Sequence, residues 1–398
     1  MAKEKKKILF IMNNLHCGGA EKALISMFEI MDYSLYEVDL YLFKHEGLFM
    51  SQIPAEVTLL PEPKEYRYFD MSFKTAVLEN LKKARLDIIF NRIAVGIIYK
   101  TEKSEQKREQ KAWPYLASSL PRVRKKYDVS IGFMEKTPNY FCVDKTNADK
   151  KIGYIHNDYD RLGMDAKIDF PYFKKLDKII TVSEECEVVL KARFPEMQEK
   201  FTVVANIISS ALTRKMAAEK VERLDGEIKF VTVGRLVYQK GYDIAIETAA
   251  ILKARGIANF KWYILGLGEL EESLKNLIAE KGVEEHFVFL GIRENPYPYV
   301  KQADIYVQSS RFEGFGIAIT EAKILSRPIV LTNFNVAEFQ VMHGQNGLIS
   351  EMDAKSLADQ LEILIRDESL RTKFSRNLSQ ADYGTESEID KIYKLIEA

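Results

Sequence analysis

Short apolar runs alternate with stretches of helical periodicity along nearly the whole chain. Parallel strands need a crossover of a dozen or more residues, so this alternation predicts β-α-β units and largely parallel sheets. The predicted strands of the first half are 8–12, 38–43, 129–133, 152–155 and 179–182. The pattern then breaks between Ala205 and Gly226, starting with Asn206-Ile207-Ile208-Ser209-Ser210. A second series follows at 228–233, 260–265, 287–290, 305–307 and 329–331. The expectation is an α/β protein of two doubly wound, Rossmann-like domains, 1–205 and 206–381. The remaining 382–398 segment carries Ile389, Ile392, Leu395 and Ile396 at spacings of three and four, a single helical stripe that must cover a surface. It is expected to pack back on the first domain.

The chain has 398 residues, more than one ordinary core accommodates, which agrees with two domains. Lys plus Arg and Asp plus Glu are both 58, so net charge gives no reason to expect nucleic acid as a partner. Cys17, Cys142 and Cys186 are odd in number and far apart, without metal-ligand spacing, as in a reducing compartment. The Lys-rich start leads into an apolar run that stops at Asn13, short of a signal peptide's core. Nothing else approaches about 20 uninterrupted apolar residues. The expected location is cytoplasmic, with the inner face of the plasma membrane as an extension. That extension comes from 64–126, where 16 Lys or Arg face 7 Asp or Glu, interleaved with Tyr66, Tyr68, Phe69, Phe73, Phe90, Tyr99 and Trp113. Such a mixture suits an anionic membrane or a lipid-linked acceptor, and equally a solvated helical face.

Candidate chemistry sits where strands end. After the first strand, Gly18 and Gly19 precede a helix with Ala23, Leu24, Met27, Phe28 and Met31 inward. Glycines there admit a ligand close to the backbone, and the free N–H groups of the helix attract anionic oxygens; the plain alternative is a joint between strand and helix. The dinucleotide fingerprint G-x-G-x-x-G is incomplete, which removes the support for NAD. In the second half Arg235 and Lys240 flank a strand end and could converge on a diphosphate, or stand as two solvated cations. Glu313-Gly314-Phe315-Gly316-Ile317 opens another helix, with Glu321 one turn in. This arrangement offers phosphate contacts at Gly316 and Ile317 and a carboxylate for hydroxyls, although either Glu could simply cap. His156 ends an apolar run, where open α/β sheets bind ligands. Asp158-Tyr159-Asp160 has the acid-x-acid form of a metal site, but Arg235 and Lys240 already supply counter-charge, so no metal is expected.

Several separate motifs in order resemble the retaining glycosyltransferases of the GT-B fold, the fourth sequence family. They are Gly18-Gly19-Ala20-Glu21, 128–135, 151–158, Val182-Ser183-Glu184, Asn206, Gly234-Arg235-Leu236, Lys240-Gly241 and 313–322. The resemblance implies that Arg235 and Lys240 neutralise a donor diphosphate while Gly314, Phe315, Gly316 and Ile317 surround it. It implies that Glu321 holds the ribose hydroxyls, that Glu313 lies beside the transferred sugar, and that Gly18 and Gly19 close the other wall. His156 would stand near the reacting sugar as a catalytic group with Glu313. The nucleotide base would be met by the loops near Gly266 and from Gly291 through Arg293 to Glu294. Lys136 replaces the small residue the family carries after Glu135, and the acceptor loop lacks the Pro-rich variants, so the acceptor side stays unassigned.

The implied activity is metal-independent transfer of a sugar, with retention, from a nucleotide diphosphate-sugar, UDP-sugar first, to a hydroxyl of a surface glycan or glycolipid. The nucleotide-sugar is a substrate, and no cofactor is implied. A non-catalytic partner subunit and a nucleotide-sugar epimerase are the rival readings. No carboxylate is evident opposite the leaving group, where a retaining glycosidase keeps its nucleophile, so attack from the leaving-group face is expected.

Overall fold

Residues 4–16 and 18–398 are described in a computed structural model; Cys17 and the first three residues lie outside the described residues. The chain divides into two compact units, one running to Ala205 and resuming at Glu388, the other Asn206–Ser387.

In the first unit the strands are β1 (Lys6–Met12), β2 (Tyr36–Leu42), β3 (Val57–Leu59), β4 (Lys126–Gly132), β5 (Asn147–Ile155), β6 (Lys178–Thr181) and β7 (Phe201–Val203). They lie in the order β3-β2-β1-β4-β5-β6-β7 with every neighbour parallel. Ile8, Leu9, Phe10, Ile11 and Met12 are all fully buried, as a strand covered on both faces requires. The helix Gly19–Ile30 lays Phe28 edge-on against Phe10, with ring centroids 5.1 Å apart. Strand order reverses between β1 and β4, and ligands of such sheets bind at the carboxyl ends beside that reversal. The long insertion between β3 and β4 forms the helices Phe73–Lys82, Leu86–Thr101 and Glu105–Ser119; Ser72 and Ser104 cap the first and third.

The second unit repeats the plan with β8 (Ile228–Val233), β9 (Phe260–Leu265), β10 (Phe287–Gly291), β11 (Ile305–Gln308), β12 (Ile329–Thr332) and β13 (Gly347–Ser350). Their order is β10-β9-β8-β11-β12-β13, all parallel, with the reversal between β8 and β11. Alternate residues feed opposite layers: Phe230, Trp262 and Ile264 enter one core, Val231, Tyr263 and Leu265 the other. The helix Ala354–Arg366 shows how sequence fixes this packing. Asp353 accepts the backbone N–H of Ser356 at 2.9 Å, and Leu357, Leu361 and Leu364 then recur on one face, fully buried. Each contributes roughly 2 kcal/mol by leaving water, and Asp353→Ala would cost about 1 kcal/mol of helix start.

The unit boundary differs from the sequence expectation near the C-terminus. Residues 382–387 stay with the second unit rather than joining the last helix. Ser210 donates its hydroxyl to Asp382, Glu386 accepts Ser210 N at 2.8 Å, and Thr385 Oγ1 accepts Ile208 N at 2.8 Å. These polar partners at 206–210 leave no periodic signal in the sequence. Glu388 then accepts Ala205 N at 2.8 Å, and the helix Ile389–Glu397 buries Ile389, Ile392 and Ile396 in the first unit. Lys6 and Lys150 donate to the carbonyls of Ile396 and Leu395 at 3.1 and 2.6 Å, where a helix C-terminus favours cations. Among the described residues no helix is long and apolar enough to cross a membrane.

Candidate functional site

In the second unit the turns after β8 and β11, on either side of the strand-order reversal, bring Lys240 and Glu313 together. Gly241 has φ +61°, and a Cβ there would meet the Ser309 carbonyl oxygen at 2.1 Å, so only glycine lets these turns pack. The Lys240 stem then lies over Gly234, and its ammonium reaches Glu313 Oε1 at 2.6 Å. The same oxygen accepts Ser310 Oγ at 2.6 Å and Gln308 Nε2 at 3.1 Å. Asn335 clamps the Glu313 backbone from both sides, accepting its N–H at 3.0 Å and donating to its carbonyl at 2.8 Å. Glu313 is therefore buried, oriented and matched by a cation.

Gly316, at φ +87°, starts the helix Ile317–Ile324, and no side chain caps that end. Gln340 holds the entering turn by donating to the Phe315 carbonyl at 2.5 Å. Glu321 lies buried inside the same helix, where Tyr297 donates its hydroxyl to Oε1 at 3.0 Å. A carboxylate, an uncapped helix start and a lysine thus share one strand-end region, a set able to receive an anionic group and hydroxyls. Arg235 is solvent-exposed at the end of β8. Neighbouring Arg311 forks onto Asp243 at 2.9 and 2.5 Å and stacks 4.1 Å from the Tyr238 ring. Burial resists the Asp243 charge, but that fork prevails and holds its pKa below the usual carboxylate value.

The base-side loops meet through backbone: Gly266 donates its N–H to the Gly291 carbonyl at 2.9 Å. Arg293 is not brought into the Lys240–Glu313 cluster; its guanidinium lies 3.4 Å from Glu222 and 5.7 Å from the Tyr299 ring centroid.

The first unit gathers a separate set at its own strand ends. Gly18 caps the helix Gly19–Ile30 in extended conformation, and a Cβ there would strike the Glu21 carboxylate at 2.1 Å. Buried His156 follows β5 and stacks on Tyr154, with ring centroids 5.2 Å apart. Its Nε2 lies 3.1 Å from the Phe133 carbonyl, an acceptor only, so Nε2 carries the proton. Its backbone N–H donates to buried Glu135 at 3.2 Å. Lys136 adopts φ +66°, ψ −118°, a conformation glycine favours, which is where the resembling family keeps a small residue. Burial opposes its charge, but Glu109 at 2.5 Å overcomes that and raises the Lys136 pKa.

Asp158 and Asp160 act locally. Asp158 caps the helix Tyr159–Leu162 through two backbone N–H groups at 3.1 Å, and Asp160 pairs with Arg193 at 2.8 Å. Among the described residues no three His, Cys, Asp or Glu side chains cluster as metal ligands. Cys142 and Cys186 are buried free thiols, and burial raises both to about 11. Sequence reasoning missed Gln308, Asn335, Gln340 and Tyr297, whose residue types signal nothing until the turns fold, and it placed Glu135 only within the 128–135 motif, without a role.

Two parallel-sheet, Rossmann-like units of this order define the GT-B class of fold. Residues 214–380 match the family described as glycosyl transferases group 1. The chain is thus a GT-B-fold protein related to those glycosyltransferases. HepE from Anabaena, solved with UDP and glucose, superposes with a TM-score of 0.68 over 99% of this chain and 100% of its own, at 17% identity. A glycosyltransferase of Methanocaldococcus jannaschii is 25% identical over 261 residues, 56% of this chain and 64% of the relative, so the match spans under two thirds of its length. An N-acetylgalactosaminyltransferase of Campylobacter jejuni acting on a diphospho-undecaprenol-linked sugar is 26% identical over 277 residues, 66% of this chain and 74% of the relative.

Proposed function

We propose that the chain is a retaining, metal-independent hexosyltransferase that moves a sugar from a nucleotide diphosphate-sugar, a UDP-sugar first, to a hydroxyl of a glycan or lipid-linked acceptor. The observation that carries this reading is the buried Lys240–Glu313 pair beside the uncapped helix start at Gly316. UDP in the HepE structure and a lipid-linked substrate in the Campylobacter relative point the same way.

On this reading the diphosphate lies against Arg235, Lys240 and the N–H groups of Gly316 and Ile317, while Glu321, oriented by Tyr297, accepts the ribose hydroxyls. Breaking the anomeric C–O bond leaves negative charge on the diphosphate, which fixed cations and N–H groups stabilise without reorganising. Binding the diphosphate draws the Lys240 ammonium between phosphate and Glu313, and Glu313 then faces the sugar. By the family resemblance, Gly18, Gly19 and His156 are assigned to the reacting sugar. The acceptor attacks from the face the diphosphate leaves. The protein works in the cytoplasm, at the inner face of the plasma membrane.

The test is a panel of UDP-, GDP- and ADP-sugars in EDTA, followed by thermal shift and release of free nucleotide. One donor should stabilise the protein and be slowly hydrolysed, with both effects lost in Glu321→Ala. Stabilisation without any release, with every acceptor class tried, would favour the non-catalytic subunit. Interconversion of the sugar without release would favour the epimerase.

A further inference from the structure

The insertion between β3 and β4 presents an apolar face that its own unit does not cover. Along the helix Leu86–Thr101, Ile88, Asn91 and Val95 turn inward, while Leu86, Phe90, Ile93 and Ile97 recur at spacings of four, three and four on the outer side. The preceding helix Phe73–Lys82 adds Leu78 and Leu81. These six side chains are between 42% and 67% exposed, whereas the inner side of the pair closes on a small cluster of Tyr68, Ala76 and Ile88. Six large apolar residues on one helical pair exceed the scattered exposure of an ordinary surface.

Charge identifies what such a face meets. Lys74, Leu78, Leu81 and Lys82 share one side of the first helix by their spacing, so cations and apolar groups point together. Lys82 and Lys83 stand at the turn between the helices, and Lys100 and Lys103 follow Ile97 at the far end. The nearby acids are matched internally: Glu79 with Arg67 at 2.8 Å, Asp87 with Arg85 at 2.8 Å and Glu102 with Lys111 at 2.5 Å. The field the face offers outward is therefore positive. A second copy of this chain would bring like charge to like charge, whereas an anionic bilayer supplies both hydrocarbon and counter-charge.

We propose that the helical pair Phe73–Lys82 and Leu86–Thr101 is a membrane-surface docking element. Leu78, Leu81, Leu86, Phe90, Ile93 and Ile97 enter the headgroup boundary of an anionic leaflet, and the flanking lysines bind its lipid phosphates. The element lies on the membrane without crossing it. This deepens the membrane contact of the proposed function, yet it depends on neither donor nor acceptor chemistry.

Flotation with vesicles of phosphatidylcholine, with and without phosphatidylglycerol, tests it on the full chain. The wild type should float with anionic vesicles, and roughly 0.5 M salt should weaken the association. The variant Phe90→Ser/Ile97→Ser should lose at least about tenfold in partitioning, because both side chains leave the hydrocarbon. Circular dichroism and UDP binding on the same samples check that the variant is folded and that its donor site is independent of the face. Equal flotation of variant and wild type overturns the proposal. So does a wild type that stays in solution with both vesicles, or a dimer that the variant converts to monomers while vesicle binding persists.

Discussion

Lys240 and Glu313 form a largely buried ion pair in the second unit, and their coupling can be worked out from the structure. At 2.6 Å the Coulomb attraction lies between about 1.6 kcal/mol in water-like surroundings and about 6 kcal/mol at an effective dielectric of ~20. With Lys240 17% and Glu313 7% exposed, the larger attraction applies but desolvation offsets much of it. Lys240→Ala does not strand the carboxylate, since Ser310 and Gln308 still donate to it, so the loss should be about 2–3 kcal/mol rather than the larger cost of an orphaned buried charge. Glu313→Gln should cost about 2 kcal/mol, and the double variant less than the sum, giving a coupling of about 1.5–2 kcal/mol. The chain has two tryptophans, Trp113 in the first unit and Trp262 in the second. In a Trp113→Phe background, urea unfolding followed by fluorescence therefore reads the second unit alone. A coupling below about 0.5 kcal/mol would refute the pair as a structural unit.

Three further outcomes follow from other parts of the molecule. Ser326 ends the helix Ile317–Ile324 at φ +55°, with Ser326 N to Lys323 O at 2.8 Å and Arg327 N to Ala322 O at 3.0 Å, a closure that favours glycine; Ser326→Gly should raise stability by about 1 kcal/mol in urea titration. Burial raises Asp169 to about 6, despite hydrogen bonds from Tyr140, Tyr159 and Gln110, so the native state binds the proton more tightly than the unfolded chain. Its contribution is complete below pH ~4 and is lost as pH rises through ~6, by up to about 3 kcal/mol, so stability of the wild type relative to Asp169→Asn should fall across that window. Tyr297→Phe should weaken UDP binding severalfold by removing a hydrogen bond that orients Glu321, while tolerance to urea changes by no more than about 1 kcal/mol.

The sequence reveals the strands better than it reveals the polar joints. β8 and β9 match their predicted limits because each is a mostly apolar run, interrupted only by Lys229 and Thr232 or by Lys261, between polar turns. β3, β7 and β13 escaped notice because three or four residues carry too little periodicity to stand apart from a loop. Glycines at forced conformations, Gly241 and Gly316, were legible as turns beside charged residues. The partners that orient those charges were not. Gln308, Asn335 and Tyr297 lie up to 24 positions from the glutamates whose carboxylate or backbone they hold, and only the parallel strand order brings them together. Lys136 shows the converse: its departure from the resembling family was visible, but its unusual backbone angles and its tie to Glu109 were not.

The central claim, that the strand-end region around Lys240, Glu313 and Glu321 binds a nucleoside diphosphate, is tested most directly by calorimetric titration of UDP in EDTA. Saturable binding of one UDP per chain, weakened at least about tenfold in folded Lys240→Ala through loss of a charge-assisted contact, is the predicted result. Equal affinity of Lys240→Ala and wild type for UDP would contradict it.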